Sequence, residues 1–178
     1  MITKVKIFAD GADISNISKM ATIDYISGFT TNPTLMKKAG ITDYKAFCKD
    51  ILSSIKDKPL SFEVFSDDFS EMERQALEIA SWGENVYVKL PITNTNGEYC
   101  YDLVEKLVNK KVKVNVTAIM TLPQVQNVMD RLDKKVPSFV SVFAGRMADT
   151  GVDPVPVMTE AVKILSSNET AELIWASP

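Results

Sequence analysis

Short β-branched runs alternate along the chain with longer stretches of helical period. The runs that read as strands cover residues 5–10, 27–30, 60–65, 86–91, 112–117, 139–143 and 172–176. Helical patterns between them begin near Asp13, Pro33, Asp43, Phe69, Thr95, Leu122 and Pro154. Asn32-Pro33 and Asp153-Pro154 each put a capping side chain ahead of a proline, whose missing N–H is no loss in a first helical turn. Ser70 followed by Glu73 has the spacing of a capping box, with Asp68 as an alternative cap. Strands joined by helical crossovers predict an α/β fold with a parallel sheet.

The two faces of the strands differ. Val86, Val88 and Leu90 share one face of their strand, while Tyr87 and Lys89 share the other. Val112, Val114 and Val116 oppose Lys113, Asn115 and Thr117; Phe62 and Val64 oppose Ser61, Glu63 and Phe65. Ala9 opposes Phe8 and Asp10, and Val140 and Val142 oppose Ser141 and Phe143. A doubly wound sheet is covered by helices on both faces and prefers apolar residues on both. A (β/α)8 barrel puts one face under helices and turns the other to the barrel axis, with its active site at the C-terminal strand ends. The asymmetry favours the barrel, as a single domain over residues 1–178.

The pattern supplies seven strands of the eight. The expectation is a C-terminally incomplete barrel lacking the eighth strand and the C-terminal helices. The functional gene product should then be longer by about 40 residues at helix and strand rises. The helix over residues 155–166 should pack incompletely on its downstream side.

Composition narrows the chemistry. With 46% hydrophobic and 24% charged residues the 178-residue chain is of ordinary globular type. Its net charge is −3, and Lys110-Lys111 and Lys134-Lys135 are short and isolated, so no nucleic-acid partner is expected. A small anionic substrate needs only a few local donors. Apolar stretches are strand-sized, so no membrane partner is expected. Residues 1–10 lack a signal-peptide shape, and Cys48 and Cys100 form no CxxC or Cys/His cluster. These features suit a reducing cytoplasm and give no sign of a zinc site or disulfide framework. The chain contains no histidine, so acid–base chemistry must use carboxylates, Lys, Tyr, Cys or ordered water.

Lys89 stands out as a lysine near the end of a Val-rich strand, pointing inward. Burying an ammonium is costly, and desolvation favours the neutral amine, a nucleophile toward carbonyls. A salt-bridged core lysine is the structural alternative. Asp10, Glu63 and Lys89 fall at equivalent positions on three strands. Two carboxylates and an amine are the parts of a Schiff-base aldolase, or of a structural ion-pair network. Thr31 and Asn32 lie in a polar segment running from a strand end to a helix start, where Asn32 can cap the helix or meet a substrate hydroxyl. Ser141, Phe143 and Arg146 surround another strand end; a guanidinium there suits phosphate, or is an ordinary surface arginine. Ser177 ends the last strand, as a phosphate donor or a loop start.

The segments Phe8-Ala9-Asp10, Thr30-Thr31-Asn32-Pro33-Thr34, Val86-Tyr87-Val88-Lys89-Leu90-Pro91, Val114-Asn115-Val116-Thr117-Ala118 and Val142-Phe143-Ala144-Gly145-Arg146 together resemble the transaldolase family, which includes small transaldolases and fructose-6-phosphate aldolases. The resemblance spans nearly the whole chain. It implies a class I aldolase-type barrel with no metal and no organic cofactor, acting on sugar phosphates as a homo-oligomer. It implies Lys89 as the Schiff-base lysine, Glu63 as a carboxylate working through water, Asp10 as the acid–base group for the hydroxyl proton, and Thr117 as a holder of that water. Thr31, Asn32, Asn115, Ser141, Phe143, Arg146 and Ser177 are implied around the substrate, with Arg146 at its phosphate. The aldolase subgroup typically has Gln at position 63, Tyr at position 143 and no Asn at position 115; this chain has Glu63, Phe143 and Asn115, as the transaldolases do. The basic residue that usually follows the serine of the seventh strand has no counterpart within residues 1–178. The activity implied is transfer of a dihydroxyacetone unit between sugar phosphates in the pentose phosphate pathway, with direct aldol cleavage as the near alternative and a non-catalytic sugar-phosphate-binding barrel as the distant one.

Overall fold

The computed structural model describes residues 5–177. Met1 to Lys4 and Pro178, onto which the readings of the N-terminal segment and the chain end extend, lie outside the described residues. Seven strands form one sheet in sequence order: β1 (Ile7–Asp10), β2 (Ile26–Thr30), β3 (Leu60–Glu63), β4 (Val86–Pro91), β5 (Val114–Ile119), β6 (Ser138–Val142) and β7 (Ala171–Trp175). Every neighbouring pair is parallel. The helices are α1 (Ile14–Ala21), α2 (Pro33–Lys38), α3 (Tyr44–Ser54), α4 (Phe69–Ala80), α5 (Tyr101–Asn109), α6 (Leu122–Met129), α7 (Ala144–Asp149) and α8 (Val155–Leu165).

The sheet is curled into a barrel wall. β1 and β6 are five strands apart, about 24 Å if the sheet were flat, yet the rings of Phe8 and Phe139 meet edge-on with centroids 5.2 Å apart. Lys6 closes the same approach by pairing with Glu172 of β7 at 2.6 Å. Seven positions of a (β/α)8 barrel are thus occupied, and β1 and β7 share no ladder among the described residues.

The outward face of the strands forms the main core. Val86, Val88, Leu90, Val114, Val116, Val140 and Val142 are buried against helix residues that include Ala76, Ile79, Val104, Leu107, Val125 and Ala161. The inward face is built in levels. At the N-terminal end Tyr87 stacks on Phe139 at 4.2 Å, with Phe8 against the latter. Gly28 permits this: a Cβ there would stand 2.4 Å from the Phe8 ring. Above the aromatic level come Ser61, Asn115 and Ser141, then Glu63 and Lys89.

Helix starts follow the capping side chains. Asp13, Asn32, Asp43 and Thr121 each accept an N–H of the helix they precede. At α4 the cap is Asp68, which accepts from Glu71 N at 2.9 Å, so the Ser70/Glu73 box does not form. The helix expected near Thr95 begins only at Tyr101. Asn94 Oδ1 takes the N–H groups of Asn96 and Glu98, the Asp67 carboxylate takes Thr95 N, and Thr93 bridges Tyr99, so side chains satisfy donors that a helix would have needed. α7 was not expected; it follows β6 directly, and Gly145 N donates to Ala176 O beyond β7 at 3.3 Å.

Strand ends shift by at most two residues, and β4 matches its expected bounds. β1 starts at Ile7 and not at Val5, and β3 stops at Glu63 because Gln75 Oε1 captures Phe65 N and Ser66 N. β5 runs on to Ile119 through a bulge between Val116 and Ile119, with Ala118 at φ 60°. On α8, Val155 and Val162 are exposed while Met158, Ala161 and Leu165 are buried. Among the described residues no helix is long and apolar enough to cross a membrane.

Candidate active site

At the C-terminal end of the barrel, β3 and β4 put Glu63 and Lys89 opposite each other in the ladder. Both side chains point inward, because the alternate residues Phe62, Val64, Val88 and Leu90 are claimed by the outer core. Lys89 Nζ lies 3.2 Å from Glu63 Oε2, with the side chains only 12% and 17% exposed. It also reaches 3.4 Å from the carbonyl of Thr31. Burial pushes the Glu63 carboxyl above its ordinary range, the Lys89 ammonium opposes that shift, and Asp10 adds to it.

Asp10 stands at the exposed end of β1, where its Oδ1 accepts a hydrogen bond from the Thr30 hydroxyl at 2.8 Å. The ladder sets Asp10 beside Thr30 and Thr30 beside Ser61, and the tilt of barrel strands, which brings Ser61 level with Asn115 across two strands, likewise raises Asp10 toward the level of Glu63. Glu63 and Lys89 are ladder partners, and the Asp10 charge bears on Glu63 from two strands away, so the three ionisable groups gather at the same end of the barrel.

Below the pair runs a buried polar chain. Ser141 donates to Asn115 Oδ1 at 2.7 Å, and Asn115 Nδ2 donates to Ser61 Oγ at 3.0 Å. All three residues are buried. The chain ties β3, β5 and β6 across the barrel interior and leaves one Asn115 N–H uncommitted. Two further hydroxyls, Thr31 Oγ1 and Thr117 Oγ1, are buried without a hydrogen-bond partner. Thr117 sits at the β5 bulge, a device that re-aims side chains beside active sites.

The remaining candidates ring the mouth. Asn32 caps α2, its Oδ1 accepting from Leu35 N at 3.0 Å. Phe143 is the half-buried residue ahead of α7, and its N–H donates to Ile119 O at 2.8 Å. Arg146 on α7 is exposed and paired with Asp149 at 3.2 Å. The Gly145 to Ala176 hydrogen bond brings the start of α7 beside Ser177, whose φ is 54°.

A family model described as transaldolase/fructose-6-phosphate aldolase matches residues 7–178. The chain belongs to that family. A probable transaldolase of Dehalococcoides mccartyi is 36% identical over 160 residues, covering 90% of this chain and 70% of that protein. One of Clostridium kluyveri is 34% identical over 174 residues, covering 97% of this chain and 76% of its own length. One of Methanococcus maripaludis is 34% identical over 163 residues, covering 92% and 71%.

Within this transaldolase/aldolase frame, three residues at the site went unread in the sequence. Ser61 faces inward in the strand pattern, but nothing in the sequence marks it as the hydrogen-bond partner of Asn115. Thr30, which donates to Asp10, lies in the same polar segment as Thr31 and Asn32, and the segment alone does not single it out. Tyr44 on α3 donates its hydroxyl to the Glu63 carbonyl oxygen at 2.8 Å, and no local pattern announces it.

Proposed function

We propose that this chain is a transaldolase, which moves a dihydroxyacetone unit from a ketose phosphate such as fructose 6-phosphate or sedoheptulose 7-phosphate to an aldose phosphate. The observation that carries the reading is the inward Lys89–Glu63 pair at 3.2 Å, in a chain of this family. The Lys89 amine adds to the ketose C2 carbonyl. The carbinolamine then loses water as the protonated Glu63 supplies a proton, directly or through water, and burial favours the protonated form. Asp10 takes the C4 hydroxyl proton as the C3–C4 bond breaks; the bonding electrons pass into the enamine on Lys89 and the aldose leaves. The enamine carbon adds to the acceptor aldehyde, the new alkoxide regains the proton, and hydrolysis frees Lys89.

Thr117 brings an unpartnered hydroxyl, and Asn32 and the free Asn115 N–H bring donors, to the sugar hydroxyls, whereas Thr31 shares the outward face of Phe29 and lines a small apolar void with Ile17, Ile51 and Phe62. Arg146 and Ser177, drawn together beside α7, serve the phosphate. The Arg146–Asp149 pair is exposed and weak enough to exchange for one. Borohydride treatment with fructose 6-phosphate, followed by intact and peptide mass, tests the reading: the adduct belongs on the Lys89 peptide, and its absence overturns the mechanism.

The family model also spans aldolases, so direct cleavage that releases free dihydroxyacetone is the second reading. Glu63, Asn115 and Phe143 favour transfer. Omitting the aldose acceptor separates the two, since steady turnover without it belongs to an aldolase.

A further inference from the structure

Glu63 is the last residue of β3, and its backbone lies where the ladder toward β2 has ended. Along a strand, N–H and C=O groups point alternately to the two neighbours. Val64 N donates to Lys89 O on the β4 side, while Ser61 O accepts from Thr31 N on the β2 side. The Glu63 carbonyl therefore faces the β2 side, past the end of that strand at Thr30. A backbone acceptor in so buried a place needs a partner, and Tyr44 on α3 is the one it has, its hydroxyl donating at 2.8 Å.

Tyr44 is itself held firmly. Its ring meets Phe65 edge-on at 4.3 Å and leans on Trp82 at 5.9 Å, and Trp82 in turn leans on Phe62. Burial and the neighbouring Cys48 keep the phenol protonated, so it remains a donor at every working pH. Just downstream, Gln75 Oε1 fixes Phe65 N and Ser66 N. The segment that carries Glu63 is thus pinned at three backbone atoms by side chains from two helices.

We propose that Tyr44 is the positioning residue of Glu63: by bonding its carbonyl, Tyr44 sets the peptide plane from which the carboxyl reaches Lys89. The inference rests on the proposed Schiff-base reaction. It assigns to a helix residue outside the barrel interior a part in the proton transfer at Lys89, without contact with substrate.

The experiment is a double-mutant cycle in the full chain with Tyr44→Phe, Glu63→Gln and both together. It is read by the rate of the borohydride-trapped fructose 6-phosphate adduct and by transfer kinetics. Tyr44→Phe keeps the ring and removes one donor, so the adduct rate and kcat should fall about fivefold, part of one hydrogen bond, while KM stays within about twofold. The pH limb that disappears in Glu63→Gln should be displaced in Tyr44→Phe. In the Glu63→Gln background Tyr44→Phe should change nothing further. Trp82→Phe loosens the same aromatic cluster but keeps the hydroxyl, and should lower thermal stability with the adduct rate preserved. Additive effects in the cycle, an unchanged rate in Tyr44→Phe, or an equal rate loss in Trp82→Phe would each overturn the assignment. A parent chain that forms no trapped adduct would overturn the reaction itself, and the role of Tyr44 with it.

Discussion

Replacing Lys89 with methionine should destabilise the fold by an amount that depends on pH, because Lys89 holds Glu63 down against its own burial. Methionine fills the space of the lysine stem but brings no charge. Burial and the Asp10 charge then both push Glu63 upward with nothing opposing them. A carboxyl raised in the folded state above its ordinary value of 4.5 binds its proton more tightly when native. The stability it allows is present below that value and is lost as pH rises through the folded-state titration. The variant raises Glu63 further than the parent does, so it loses more. The two proteins should differ little from this cause near about pH 4, diverge above it, and run parallel once Glu63 has titrated in the variant. Breaking a fully buried pair costs about 3–5 kcal/mol. Here the side chains keep 12% and 17% exposure, and Glu63 can take up a proton instead. A gap of about 2 kcal/mol near pH 8 follows, below the cost of a fully buried pair. Urea unfolding followed by far-ultraviolet circular dichroism, repeated across this pH range, measures it. A gap that is constant with pH, or widest in acid, would refute the reasoning.

Glu63→Gln should lower transfer by roughly 10²–10⁴-fold, the range for a lost acid–base group, while the adduct still maps to Lys89; transfer at the parental rate would exclude Glu63 from the chemistry. Asn115→Leu strands the buried Ser61 and Ser141 hydroxyls and should cost about 2–4 kcal/mol, measured by urea unfolding; adding Ser61→Ala and Ser141→Ala should recover much of it. Arg146→Ala should raise KM for phosphorylated ketoses and aldoses about tenfold and spare free dihydroxyacetone, since only the charge-assisted contact is lost; equal effects on both would return Arg146 to a surface role.

The barrel was readable because one physical constraint governs each strand face. Outward positions must meet helices, so Val86, Val88 and Leu90 admit only apolar residues, and the polar intrusions Lys89, Glu63 and Asn115 on the opposite face point to an interior that tolerates polarity. Helix starts were readable where the cap is local, as at Asp13, Asn32 and Asp43. Local reading failed where a donor is satisfied from afar. Thr95 N bonds Asp67, 28 residues earlier, and Phe65 N bonds Gln75, ten residues later; both divert backbone that sequence pattern assigned to a helix and a strand. The short α7 lacks a side-chain cap hydrogen bond and so gives no start signal.

The site divides along the same line. Lys89 and Glu63 announce themselves as charged residues in apolar strands, and their pairing follows once the two strands are neighbours. The hydrogen bond that Asp10 takes from Thr30 does not follow, because residue types alone do not fix which strand-end hydroxyl faces it. Tyr44 is hidden more deeply. At the first position of an amphipathic helix it reads as one more half-buried aromatic, and its ring does pack as one against Phe65 and Trp82. What sets its hydroxyl apart is that β2 ends before β3 does, leaving the Glu63 carbonyl without a ladder partner. That mismatch in strand length belongs to neither strand alone. A group recruited by the place where a ladder stops is therefore invisible to pattern, however plainly the carboxyl it supports can be read.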